Sequence, residues 1–304
     1  MTGEAPTSAA RRSSPREIAT AIQLREKLAQ RVAAVATRLD AVGGSGSPSP
    51  ENLHRFHRDL RKLRTELRPF RRALTAGARE RASHLDRRLA RLSQVVGEVR
   101  DFDVRLSLLK ATPLRGVPDE ARDEVQEAEA RLREDARTGR ELLRAYARTE
   151  MESGLVHGMS ELVAPGAELR HLARASRAID RALSRSSERA ERALVRSRRR
   201  ASPGRLHSLR VAIRRARYLT DLSNAVRPEK ARGFPVTLVH LQGELGRLHD
   251  LDVLSDYLEQ LGTGGDWAAS RDAPPRVRRR LRRAVRKTLD DRSILRAIRR
   301  IPGS

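Results

Sequence analysis

Apolar residues recur along most of this chain at intervals of three and four positions, the spacing of amphipathic α-helices. Ile18, Ile22, Leu28, Val32 and Leu39 show the pattern near the start of the sequence. Nowhere does a run of alternating apolar and polar residues lie between turn residues, so strands are not expected and the predicted fold class is all-α. The predicted helices span 17–42, 78–96, 101–111, 119–163, 167–200, 236–246 and 277–298, with two more that include 53–64 and 206–219 and a short one that begins near Asp250.

Glycine and proline mark the predicted helix ends and the domain boundaries. Gly97 and Gly246 are each expected to end a helix, Pro69 to kink or end the second one, and Gly154–Gly158 to interrupt the fifth. Composition predicts a disordered leader over 1–15, a flexible break over 43–50 and a linker over 262–275. Pro165-Gly166 is the predicted boundary between an N-terminal half, 16–165, and a C-terminal half, 166–304.

Two of these helices each carry a row of basic residues headed by histidine. In LHSLRVAIRRARYL (206–219), four side chains at i, i+3, i+7 and i+10 fall within roughly 80° on a helix. The segment LHRFHRDLRKLR (53–64) repeats the arrangement, with Lys62 in the place of Arg215. Guanidinium forks in a row can hold an anion longer than one phosphate. The predicted ligand contacts are His54, His57, Arg61, Lys62, Arg64, His207, Arg210, Arg214, Arg215 and Arg217.

A second pair of matching segments indicates a tandem duplication. VGEVRDFDV (96–104) aligns with LGRLHDLDV (245–253), about 150 residues later, and the two basic rows are separated by a similar distance. Gly97, Asp101 and Asp103 therefore correspond to Gly246, Asp250 and Asp252. For the aspartates we favour N-capping and pairing with arginine over a role as Mg²⁺ ligands or catalytic groups.

The helix before the second row carries arginines at positions 170, 174, 177, 181, 185, 189, 192 and 196, every step being three or four residues. A solvated face usually intersperses acids for i,i+4 pairing, whereas the acids of this helix lie off the stripe. We therefore favour a ligand-facing stripe over a merely solvated one. It adds Arg174, Arg177, Arg181 and Arg185 to the candidate contacts.

Charge and composition narrow the function classes. The net charge of +25 favours a polyanionic partner, although an arginine-rich chain can also reflect codon bias. The absence of cysteine excludes disulfides, thiolate metal sites and cysteine nucleophiles. No apolar run approaches 18 residues, so we expect no membrane partner and a cytoplasmic protein. Neither HExxH nor a Walker A loop occurs, so no metal site, cofactor or catalytic residue is predicted.

Together, the doubled motifs resemble those of the CHAD family, the histidine-bearing α-helical domain. The segment from His207 to Arg217 matches its H-x-L-R-V-x-x-R-R-x-R motif throughout. Each copy is followed by what we call the Gly-Asp segment, 96–104 in the first half and 245–253 in the second. The first copy departs from the motif at Phe56, His57 and Arg58. The resemblance implies two pseudo-symmetric four-helix bundles around a basic groove that binds long-chain inorganic polyphosphate, often at polyphosphate granules. It also implies weaker candidate contacts at Arg88, Arg91 and His240.

The resulting hypothesis is a non-enzymatic protein that binds polyphosphate in a groove formed by both repeats. Nucleic acid is the alternative partner, but eight aromatic residues offer few stacking platforms for single-stranded bases. A metal-dependent polyphosphatase that uses the paired aspartates is the less favoured alternative.

Overall fold

A computed structural model describes residues 15–72, 74–111, 119–164, 173–260 and 274–301. Within these ranges the chain is helical and contains no strand, which confirms the all-α prediction. A short 3₁₀ helix, Pro228–Lys230, follows α7. The α-helices are α1 (Pro15–Gly43), α2 (Pro50–Arg71), α3 (Ala76–Lys110), α4 (Asp119–Glu152), α5 (Leu155–Val163), α6 (Ala173–Arg199), α7 (Pro203–Val226), α8 (Val236–Gln260), α9 (Pro274–Asp290) and α10 (Arg292–Arg299).

Two predicted helix ends are wrong. Gly97 and Gly246 lie inside the continuous helices α3 and α8. A single glycine costs a helix only about 1 kcal/mol relative to alanine, and that cost does not break a long helix packed on its neighbours. At Gly97 the missing side chain also has a use, because the ring of His57 occupies the space beside it.

Other predicted breaks are confirmed. Gly154 separates α4 from α5 with a left-handed φ of 73°, and Pro69 lies two residues before the end of α2. The last predicted helix is instead two, because Asp291 leaves the helix and accepts a hydrogen bond from the Ser293 amide to cap α10. The leader over 1–14, the boundary at Pro165-Gly166 and positions 262–273 of the linker lie outside the described residues.

One hydrophobic core runs through both predicted halves. Leu24, Leu28 and Leu39 of α1 are fully buried, and α1 packs against α2, α4, α5, α6 and α7. The same cluster includes Phe56 of α2 and Ile213 of α7. The two predicted halves thus share one core, and their division stays a prediction.

Ion pairs hold α2, α3 and α8 against neighbouring helices. Arg31 of α1 donates to the fully buried Glu66 of α2 at 3.2 Å. At corresponding places in the two repeats, Asp103 of α3 pairs with Arg140 of α4, and Asp252 of α8 pairs with Arg282 of α9. Each long helix is thereby held in register against its neighbour. None of the helices in the described ranges combines the length and apolar character needed to cross a lipid bilayer.

Candidate functional site

The basic faces of α2 and α7 meet at a cavity of about 380 Å³, which α3 and α8 complete. Half of its described lining residues are arginine or lysine, Tyr218 is the one Phe, Trp or Tyr among them, and Asp221 and Asp250 are the carboxylates. The lining residues are His54, His57, Arg58, Arg61, Lys62, Arg100, Arg210, Arg214, Arg217, Tyr218, Asp221, Gln242, Gly246 and Asp250.

Seven of the ten residues predicted from the two rows line this cavity, and three do not. His207 lies at its margin, stacked at a tilt on His249 with 5.0 Å between ring centroids. Arg64 is directed to α3, where its Nε donates to Asp86 at 3.2 Å. Arg215 lies outside the cavity, where burial and then the neighbouring arginines lower its pKa. The seven are His54, His57, Arg61, Lys62, Arg210, Arg214 and Arg217.

The candidates on α3, α6 and α8 lie outside the cavity lining. The predicted ligand contact at Arg88 is corrected by the structure. The Nε of Arg88 donates to Glu150 at 2.8 Å, so this side chain joins α3 to α4 rather than facing the cavity. Arg91, near the Tyr146 hydroxyl, and His240 of α8 are exposed. Arg177 and Arg181 of α6 are exposed and Arg185 is half-buried, and the side chain of Arg174 is outside the described set.

Arginines in the cavity repel one another across a partly dehydrated space. Burial and then the neighbouring Arg214 lower the pKa of Arg61 to about 9 and that of Arg210 to about 10. All three guanidinium groups remain protonated at neutral pH, and the Nε of Arg210 is buried without a hydrogen-bond partner. An anion entering the cavity would relieve this repulsion and supply the missing acceptor.

Histidine behaves differently from arginine here. Burial, followed by Arg61, lowers the pKa of His57 to about 2, and burial followed by Arg210 lowers that of His249 to about 3. Burial also lowers the pKa of His54 and of His207. At neutral pH these rings are uncharged, so each offers one N–H donor to an anion rather than a positive charge.

The paired aspartates do not act as N-caps, because both pairs lie inside helices. Two residues apart on a helix, side chains point to nearly opposite sides. Asp103 and Asp252 accordingly form the outer ion pairs with Arg140 and Arg282. Asp101 and Asp250 instead lie near each other, so that Asp101 helps to raise the pKa of Asp250. Within the described residues, no three His, Cys, Asp or Glu side chains gather as a metal site.

Sequence reasoning missed Arg100 and His249, which occupy the same position in the two repeats. Arg100 Nε lies 3.3 Å from Nδ1 of His54, and His249 contacts His207. The first histidine of each row thus contacts a residue on the next long helix, α3 for His54 and α8 for His207. The signal was available, because both residues stand three positions after the glycine of the Gly-Asp segment, on one helical face with it.

Comparison of the sequence with models of known protein families finds a match to the CHAD domain over residues 26–259. The chain belongs to the CHAD family. The CHAD domain of the plant Ricinus communis, a crystal structure, is 23% identical with a TM-score of 0.62, covering 99% of both chains. PptA from Streptomyces chartreusis is 16% identical with a TM-score of 0.51, covering 95% of this chain and 99% of its own. No curated protein sequence matches. In this CHAD chain, the two histidine-headed rows form facing walls of one cavity.

Proposed function

We propose that this chain binds linear inorganic polyphosphate in the cavity between α2 and α7 and does not hydrolyse it. The observation that carries the proposal is the convergence of Arg61, Arg210 and Arg214 on one cavity. These three guanidinium groups are half-buried, burial lowers the pKa of each, and Arg214 lowers the pKa of Arg61 and of Arg210 further. Charges gathered in this way cost folding free energy unless an anion compensates them. Membership of the CHAD family and the likeness to a CHAD crystal structure are consistent with this ligand.

Polyphosphate fits the donor set better than other polyanions. It is unbranched, and every unit presents charged oxygens that guanidinium forks bind in pairs. Neutral imidazoles and the Tyr218 hydroxyl add N–H and O–H donors of the kind that phosphate accepts. Nucleic acid would use the same charge, but the cavity's one aromatic ring is covered by Lys62, whose Nζ lies 5.5 Å from the centroid. Bases would therefore find little to stack on.

The acidic residues of the site support binding over catalysis. Asp101 and Asp250 each lie close to Arg100 and Arg210, so the positive field that favours phosphate opposes a divalent cation. Purified protein incubated with polyphosphate and Mg²⁺ or Mn²⁺ is expected to release no phosphate. Turnover that is abolished in Asp250→Asn would identify a polyphosphatase instead.

Calorimetric titration with polyphosphates of graded length tests the binding site. The double variant R210Q/R214Q removes two charge-assisted contacts of about 1.5 kcal/mol or more each, so its Kd should rise roughly 100-fold. The control R279Q/R283Q removes the same charge from exposed positions of α9 and should stay within a few-fold of wild type. Equal affinities of wild type and R210Q/R214Q would exclude the cavity as the site. The same variant should fail to co-sediment with polyphosphate granules.

A further inference from the structure

We propose that six arginines outside the cavity bind the continuation of the polyphosphate chain that fills it, and that they give this protein a preference for long chains. This inference rests on the proposed function and extends it to the ligand's length. We call this group the outer arginine cluster. It consists of Arg68 of α2 and the C-cap residue Arg72 that follows this helix, Arg181, Arg185 and Arg189 of α6, and Arg215 of α7.

The helices bring these residues together. Successive arginines on α6 are four positions apart and share one face, and α6 packs against both α2 and α7. Arg68 and Arg72 follow Arg61 at intervals of seven and four residues, so they extend the cavity-facing side of α2 by about 16 Å. On α7, Arg215 is the neighbour of the cavity residue Arg214. The cluster is therefore an extension of the cavity's cationic wall.

Mutual electrostatic effects support this proximity. Burial and then Arg68, Arg189 and Arg72 lower the pKa of Arg215 to about 10. The pKa of Arg72 is lowered by burial and then chiefly by Arg185 and Arg181. Side chains from three helices thus share one positively charged surface.

Compensation by acids is incomplete in this region. The Nε of Arg215 and one terminal nitrogen of Arg185 are buried without a hydrogen-bond partner. Asp86, the carboxylate that raises the pKa of Arg215, already pairs with Arg64 at 3.2 Å and with Arg71 at 3.8 Å.

The corresponding helix of the first repeat is different. Arg31 and Arg38 of α1 are both paired with buried acids of α2, Glu66 and Asp59. Arg31 and Arg38 of α1 thus have carboxylate partners, whereas Arg181, Arg185 and Arg189 of α6 form no ion pair within the described residues. A short anion can occupy the cavity alone, whereas a long one can also lie along α6 and gain these contacts.

The test compares two triple variants that lose the same charge. R181Q/R185Q/R189Q removes the α6 part of the cluster, and R276Q/R279Q/R283Q removes three exposed arginines of α9. Calorimetry measures the Kd of each for tripolyphosphate and for long-chain polyphosphate, and circular dichroism verifies the helical content. We expect the α6 variant to bind long chains at least 10-fold more weakly than wild type. Its Kd for tripolyphosphate should stay within twofold of the wild-type value. The α9 variant should bind both probes within a few-fold of wild type.

Each other outcome has a definite meaning. Equal losses in the α6 and α9 variants would show that total charge, not the cluster, sets the affinity, and would overturn the inference. A comparable loss for tripolyphosphate in the folded α6 variant would overturn it too, because the cluster would then belong to the short-chain site. If wild type binds neither probe, the proposed function itself fails.

Discussion

The ring of His57 in α2 lies directly against Gly97 in α3. A Cβ on Gly97 would come 3.0 Å from Cε1 and 3.2 Å from Nε2 of His57, closer than side chains normally approach. Gly246, at the same position of the second repeat, has open space, with no atom within 4 Å of such a Cβ. The first glycine lets two helices approach around a histidine, and the second leaves room in the cavity wall.

Alanine substitutions should therefore have opposite effects on stability at the two glycines. Gly246→Ala should raise the free energy of unfolding by up to about 1 kcal/mol, because alanine is the better helix former. Gly97→Ala should lower it by about 1 kcal/mol, since overpacking at His57 outweighs that gain. Urea denaturation measures both. Stabilisation by Gly97→Ala would show that the His57 ring moves aside freely.

Removal of Arg31 should leave a buried carboxylate without its main partner. Glu66 is fully buried, so Arg31→Met is expected to cost about 3 kcal/mol of unfolding free energy. The double variant R31M/E66L should recover most of this loss, because the corresponding Leu219 of the second repeat is accommodated in the core. Arg55→Met breaks an exposed pair with Glu51 and should cost less than about 1 kcal/mol. If the double variant were no more stable than R31M, burial of the unpaired charge would not be the cause.

Acid should destabilise the protein through His57. Its folded-state pKa of about 2 lies below the unfolded value of about 6.5, so below pH 6.5 the unfolded chain binds a proton that the folded chain does not. Stability from this group is complete above pH 6.5 and decreases as the pH falls toward 2. Between pH 7.5 and pH 5, the free energy of unfolding of His57→Asn should therefore fall by about 1–2 kcal/mol less than that of wild type.

Chemical denaturation at the two pH values measures this difference. The comparison with wild type is needed because buried carboxyls with raised pKa values, such as Glu66, act in the opposite direction. His157→Asn, on the exposed surface of α5, is the control and should reproduce the wild-type loss. If His57→Asn lost as much unfolding free energy as wild type, protonation of His57 would not be a cause of the destabilisation by acid.

Competition should distinguish polyphosphate from nucleic acid as the ligand. Long-chain polyphosphate is expected to displace bound single-stranded RNA, and RNA should not displace polyphosphate at equal concentration of phosphate units. Fluorescence anisotropy with labelled RNA measures the displacement. Raising the salt concentration should weaken both complexes through the ions released on binding. Displacement of polyphosphate by RNA would favour a nucleic-acid function.

The basic cavity could be predicted from sequence because most of its charged residues follow helical spacing within two single helices. Intervals of three and four residues place His54, Arg61, Arg210 and Arg214 on the inner faces of α2 and α7, whatever those helices pack against. Repetition of the row indicated that two such faces exist. Spacing along one helix carries this information without knowledge of the partner helix.

Partners on distant helices could not be predicted in this way. Arg64 belongs to the same row as Arg61 but pairs with Asp86, and Arg88 pairs with Glu150 on α4. Nothing in the local pattern shows which helix will lie beside each arginine. Arg100 was missed for another reason: with a helix end expected at Gly97, the residue three places later is no longer assigned to the same face.

The shared core has a consequence for which anions the protein accepts. Buried leucines of α1 pack against α2 and α7, the helices that carry the two basic rows, so the two sides of the cavity share one core. We therefore expect a ligand to bind without a large separation of α2 from α7. An unbranched phosphate chain should accordingly enter this cavity more readily than phosphates that carry sugars or rings.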